Sequence, residues 1–188
     1  MPVPARFLKE LIDQEGSVPH MYLDTRGNVT VGVGLLLATS REAEALGFVE
    51  RSSGRAASRS EIQLDWQRVR GEPAGRLAPD YAQVTRLELP GLDIRRELSR
   101  RVDQFQSGLR RSFENFDSYP EDVRLALLDM VFNLGIRGLT TKFPKFCGAI
   151  RRGDWPAAGA ESARRGVAGR RNEFVRALLT GIPMERVW

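Results

Sequence analysis

Two stretches decide the fold: Ile12-Asp13-Gln14-Glu15-Gly16, and then Tyr22-Leu23-Asp24-Thr25-Arg26-Gly27-Asn28-Val29-Thr30-Val31-Gly32-Val33-Gly34. The first closes a helix. Phe7, Leu8, Leu11 and Ile12 recur at the spacing of one helical face, so residues 4–15 are expected to be helical, with Gly16 able to stop them. Glu15 follows Leu11 by four residues and Ile12 by three, so it shares that apolar face, an uncommon place for a carboxylate. A helix ending one turn sooner would instead leave Glu15 capping a loop. The second stretch reads as strand, turn, strand: Met21 to Asp24, then Thr25 to Asn28, then Val29 to Gly34. With a three-residue loop over residues 26–28, Asp24 would stand directly opposite Thr30 on the same face.

Outward from this pair, residues 40–92 carry weaker signals. Ser40 to Leu46 and Ser60 to Val69 have helical character, and the Ser/Gly/Arg-rich stretch Arg51 to Arg59 reads as an exposed loop. Gly71 to Pro79 is a second loop, and Tyr81 to Leu89 is compatible with helix or strand. Beyond it, Ile94, Leu98, Val102, Phe105, Leu109 and Phe113 mark a long amphipathic helix over residues 93–116. Ser118-Tyr119-Pro120-Glu121 has the form of a capping box opening a helix to Leu134 that is apolar nearly all round. Gly135 and Gly138 end it. Helices over residues 142–150, 154–164 and 170–179 complete a helical C-terminal half, and no internal repeat is visible. The expected class is α+β and mostly helical.

Composition narrows the chemistry. The chain has 188 residues, enough for one domain or two small lobes around a shared core. Val29 to Ala38, the longest nearly apolar run, is about half the roughly 20 residues of a membrane helix, so no membrane insertion is expected. The opening residues MPVPARFLKELIDQEG lack the apolar core of a signal peptide. One Cys excludes an internal disulfide, and with His20 and Cys147 as the only soft ligands a zinc site is poorly supplied. The charge is asymmetric: residues 1–92 hold 11 basic and 12 acidic residues, residues 93–188 hold 18 and 12. A basic half suits a polyanion, although an individual arginine pair such as Arg164-Arg165 or Arg170-Arg171 is more often a solvated helix face.

Several chemistries fail on the residues. Gly32-Val33-Gly34 lacks the third glycine of a dinucleotide loop, where Leu37 stands, and no phosphate-binding Gly-Lys-Ser/Thr occurs. Cys147 with His20 would make a thiol–imidazole pair, but a lone Cys in an apolar helix fits a core. Serine catalysis would need His20 as base, and no nucleophile elbow is present. The carboxylates remain. Cleaving an acetal between sugars takes a proton donor for the departing oxygen and a second carboxylate to activate water or attack carbon. A Glu kept dry at an apolar helix end suits the acid, and an ionised Asp on a hairpin suits the base.

The two opening stretches resemble the active-site signature of phage-type lysozymes, the T-even phage lysozyme and related endolysins. There a Glu-Gly is followed nine residues after the Glu by an Asp, and six later by the Thr of a Thr-Ile/Val-Gly-x-Gly strand. The resemblance continues in Ala126 to Gly135, Ile150 to Trp155 and Gly169 to Glu173, and spans roughly residues 5–37 and 95–182. It implies a lysozyme-like, bilobal fold across residues 1–188. Residues 15–92 would form a small lobe with the β-hairpin, 93–116 a long interlobe helix, and 117–188 with 1–14 a helical C-terminal lobe. It also implies Glu15 as general acid, Asp24 as the group that positions or activates water, and Thr30 as a partner of that water. Leu36 and Phe132 match positions that contact substrate, and Arg170 an arginine near the acid. The T-even enzymes invert configuration, so the two carboxyl groups would stand roughly 6.5–9.5 Å apart. Leu35 replaces a common His, which implies altered packing of the hairpin, and Phe146 replaces a small polar residue that faces substrate.

The expected function is therefore a muramidase, a glycoside hydrolase acting on peptidoglycan glycan strands and causing bacterial lysis, with neither metal nor cofactor. The alternative is a catalytically silent peptidoglycan-binding module. No motif supports a nucleic-acid partner, and a monomer is expected. Made in the cytoplasm without a signal peptide, the protein would reach the periplasmic wall by a holin, as an endolysin, or through a specialised secretion system, as an effector toxin. In the second case a dedicated inhibitor (immunity) protein is expected.

Overall fold

Helical periodicity is realised nearly everywhere the sequence carries it in the computed structural model, which describes residues 5–181. The chain is α+β and mostly helical. Residues 1–4 and 182–188, included in the expected helix and domain boundaries, lie outside the described residues. Helix α1 spans Ala5–Glu15, and the strands β1 Val18–Leu23, β2 Val29–Gly32 and β3 Leu35–Leu36 form an antiparallel sheet in that order. Then come α2 Ser40–Glu44, β4 Val49–Glu50, α3 Arg59–Arg70 and β5 Leu87–Glu88, with β4 and β5 paired antiparallel. The remainder is helical: α4 Gly91–Ser112, α5 Glu121–Lys142, α6 Pro144–Arg152, α7 Trp155–Ala160 and α8 Gly169–Thr180.

The residues divide into two compact units, 5–99 and 100–181, with the division inside α4 between Ser99 and Arg100. Helix α1 falls in the first unit, whereas the resemblance groups residues 1–14 with the C-terminal residues. In the first unit Met21 and Leu23 of β1 and Val29 and Val31 of β2 are buried. The strand expected over residues 29–34 is shorter than its pattern suggests, because Gly32 takes φ 63° and turns the chain into β3. A side chain at Gly32 is excluded twice over: by that left-handed backbone and by Ile94 Cγ2, which lies 3.2 Å from where a Cβ would stand.

Residues 40–92 support this sheet. Trp66 Nε1 on α3 donates to the Leu37 carbonyl at 3.0 Å, and Arg70 Nη1 donates to the Gly27 carbonyl at 2.7 Å. His20 Nε2 donates to the Ala78 carbonyl at 2.9 Å, and the Leu89 N–H reaches the Pro19 carbonyl at 2.7 Å. The buried Asp65 carboxylate on α3 accepts from the backbone N–H groups of Arg86 and Leu87 at 3.1 and 3.2 Å. That fixes the approach to β5, the part of 81–89 left open between helix and strand. Helix α3 starts with a capping box, Ser58 with Glu61.

In the second unit α5 is apolar on almost every side, as its composition predicts, and Gly135 (φ 69°, ψ 163°) breaks it. The expected capping box is absent. Ser118 closes a short 3-10 turn, Phe116–Ser118, Pro120 occupies the cap position of α5, and no side chain caps that end by a hydrogen bond. Glu121 and Asp122 in the first turn suit the helix dipole instead.

In two of the arginine pairs one member is buried, Arg164 of Arg164-Arg165 and Arg171 of Arg170-Arg171, while its neighbour is exposed. Asp129 of α5 is fully buried and accepts from Arg164 Nη1 at 2.8 Å and Arg171 Nε at 3.1 Å. Asn172 Oδ1 accepts from the backbone N–H and Nε of Arg164 at 3.1 and 3.2 Å. Removing one member of a buried ion cluster leaves the others charged without compensation, at a cost of about 3–5 kcal/mol. We therefore expect Asp129→Ala to lower the unfolding free energy in urea by about that amount. Lys9→Ala, which removes an exposed ion pair with Asp13, should leave it nearly unchanged.

Candidate functional site

The hairpin register differs from the expected one. Tyr22 pairs with Thr30 and Leu23 with Val29, and the Asp24 N–H donates to the Asn28 carbonyl at 2.9 Å. Asp24 thus faces Asn28 rather than Thr30, and the loop is Thr25-Arg26-Gly27, closed by Gly27 at φ 75°. Because the offset is two residues, the pleat keeps Asp24 on the face of Thr30. On the far side Thr30 pairs with Leu36. One face of the sheet therefore carries the row Tyr22, Thr30, Leu36 beside the row Asp24, Asn28.

The Asp24 carboxylate is tied into the turn. Oδ1 accepts from the backbone N–H groups of Arg26 and Asn28, both at 2.8 Å, and Oδ2 accepts from Asn28 Nδ2 at 3.2 Å. Partial burial alone would raise its pKa, but the hydrogen bonds from Asn28 and Arg26, with the Arg26 charge, outweigh it and hold the carboxyl below its ordinary value. Thr30 is buried, and its hydroxyl donates to the Asn28 carbonyl at 3.1 Å. Its proton is thereby engaged, which leaves the Thr30 oxygen to act as an acceptor.

Glu15 is the last residue of α1, so the helix does not stop a turn early. The expectation of a dry acid fails, because Glu15 is exposed. It stands past the last turn of the apolar stripe, and the chain leaves at Gly16 (φ 76°) into an exposed Ser17, with no following turn to cover it. Glu15 nevertheless lies within electrostatic reach of the hairpin. Burial raises the Tyr22 phenol above its ordinary pKa, and the charges of Asp24 and Glu15 raise it further.

Leu36 is half exposed on the Asp24 face. Phe132 and Arg170 belong to the other unit. The Phe132 ring is buried, edge-on to Phe105 with centroids 6.0 Å apart, and the Arg101 guanidinium lies 4.5 Å from its centroid. Arg170 is exposed at the start of α8, and it is the neighbouring Arg171 that turns inward. Phe146 is fully buried, so its size serves the core rather than a substrate face. Leu35 pairs with Val31.

No protein-family model matches the chain, and no curated protein matches it. The site rests on its own geometry. Among the described residues, no three His, Cys, Asp or Glu side chains cluster where they could hold a metal ion. No described helix is long and apolar enough to cross a membrane. Cys147 is buried on α6, and burial pushes its thiol pKa up, away from the thiolate that nucleophilic catalysis needs. Two site residues were not singled out from the sequence, Tyr22 and Asn28. The alternation Tyr22-Leu23-Asp24 places Tyr22 on the face of Asp24, and an Asn closing a turn is a standard partner for an Asp that opens one.

Two outcomes test this geometry. In a carbon-13 NMR titration, Tyr22 ionises above the ordinary tyrosine range, and Glu15→Gln and Asp24→Asn each move its midpoint back down. An unmoved midpoint in both would separate the three groups. A carboxyl whose pKa falls on folding stabilises the fold above its unfolded-state value, and that contribution fades as pH drops through the folded-state value. Asp24→Asn should therefore flatten the acid limb of thermal stability below the ordinary carboxylate range, read by circular dichroism.

Proposed function

We propose that this chain is a peptidoglycan hydrolase, a muramidase cutting the β-1,4 bond between N-acetylmuramic acid and N-acetylglucosamine with inversion. The observation that carries the reading is the Asp24 carboxylate, held ionised by three N–H donors on the sheet face it shares with Thr30. Glu15 and Asp24 both act on Tyr22, which supports a common locus for the two carboxylates. The same proposal takes the chain as lysozyme-like and bilobal, with a glycan strand lying along the Asp24 face and Leu36 offering it an apolar contact.

Glu15 protonates the departing glycosidic oxygen while a water attacks the anomeric carbon from the opposite side. Asp24 takes the proton of that water, and the Thr30 oxygen accepts its second hydrogen. An exposed Glu15 receives its desolvation from the bound glycan, which covers it when the complex forms. The protein then acts at the cell wall, delivered by a holin or by a specialised secretion system. The basic residues of its second half favour an anionic polymer.

The second reading, a silent peptidoglycan-binding module, is favoured by one observation: the Asp24 hydrogen bonds would be kept for the turn alone, whatever the chemistry. Purified peptidoglycan separates the two. Parent protein should release reducing ends, and Glu15→Gln and Asp24→Asn should each lower that rate by about 100-fold or more while still sedimenting with the polymer. Parent protein that sediments and releases nothing is the silent module. Variants as fast as the parent would end the hydrolytic reading.

A further inference from the structure

We propose that Asn28 is a positioning residue that selects which oxygen of Asp24 meets the attacking water; this rests on the hydrolytic reading above. An ionised carboxylate offers about four acceptor positions, two on each oxygen. Oδ1 is saturated by the backbone N–H groups of Arg26 and Asn28, both at 2.8 Å. Oδ2 takes one hydrogen bond, from Asn28 Nδ2 at 3.2 Å. The described residues thus leave one acceptor position, and it lies on Oδ2. Asn28 clamps the carboxylate by its backbone and by its side chain, so the group cannot rotate without breaking bonds to both.

The same residue reaches Thr30, whose hydroxyl donates to the Asn28 carbonyl at 3.1 Å. Asn28 therefore aligns both proposed partners of the water: the open position of Asp24 Oδ2 and the acceptor lone pairs of Thr30. In the reaction one O–H bond of the water breaks as its oxygen bonds to the anomeric carbon. The proton passes to Oδ2, the glycosidic C–O bond breaks, and the departing oxygen takes the proton of Glu15. A donor on Oδ2 fixes the direction of that transfer and favours the ionised carboxylate beforehand.

Asn28→Asp tests this, because it keeps the side-chain size and the backbone hydrogen bonds while replacing the Oδ2 donor with a charged acceptor. Asn28→Ala removes the donor without adding charge. For both, the acid limb of the kcat/KM profile on peptidoglycan should move to higher pH, further for Asn28→Asp. At the pH optimum kcat should fall about tenfold or more with KM little changed, since only a hydrogen bond on the reacting group is lost. Carbon-13 titration of the Asp24 carboxyl should follow the same order without reference to activity. A parent protein that releases no reducing ends overturns the hydrolytic reading, and this role with it. An active parent, with acid limb and kcat unchanged in a folded Asn28→Asp or Asn28→Ala protein, overturns the role of Asn28 alone.

Discussion

Three N–H groups converging on one carboxylate, that of Asp24, set the geometry on which the candidate site depends. Hydrogen bonds to a charged acceptor are stronger than neutral ones, and here they span the few residues where the chain reverses. With Asp24 and Asn28 facing each other, period-two alternation fixes everything downstream. Tyr22 must meet Thr30, Thr30 must meet Leu36, and Leu23, Val29 and Val31 must point into the core. A slip of one residue would bury Asp24 and expose Val29. The apolar face and the turn chemistry therefore enforce the same register, and neither alone would be as decisive.

A hairpin and a two-residue third strand are too little to be stable alone. Residues 40–92 supply what is missing, and they do so at the ends of the strands. Arg70 takes the carbonyl at the tip of the hairpin, Trp66 the carbonyl just past β3, and Leu89 the carbonyl near the start of β1. Each removes an orphaned backbone acceptor from an edge while fixing a position. Asp65 does the same for the backbone leading into β5, using a buried charge whose desolvation is offset by its hydrogen bonds.

What was legible in the sequence, and what was not, follows from the range of the forces involved. The stripe Ile94 to Phe113, the all-round apolar α5 and its break at Gly135 are local patterns, and the structure follows them. The three-residue hairpin loop is legible, but its position is one residue out, which shifts the strand pairing by two, because the choice depends on which N–H groups Asp24 captures. Strands β4 and β5 are two residues each and have no periodicity to detect, so their pairing is written in tertiary contacts. Glu15 followed the helical wheel onto the apolar face, yet a wheel says nothing of what covers the last turn. For Phe132 the sequence gives an apolar side chain in an apolar helix, but not the guanidinium that lies over it.

The preference for arginine over lysine has a meaning beyond charge at Arg164. Its Nε serves Asn172, its Nη1 serves Asp129, and its Nη2 serves the Arg171 carbonyl at 3.4 Å. A lysine would bring an equal charge on a single tip, unable to reproduce the three directions of the planar fork, so the exchange would not be conservative there. Arg164 and Arg171 also face a carboxylate inside the protein, so the arginine count overstates the cationic surface offered to a polymer. Two of the most conspicuous doublets in the sequence are each half fastener and half surface.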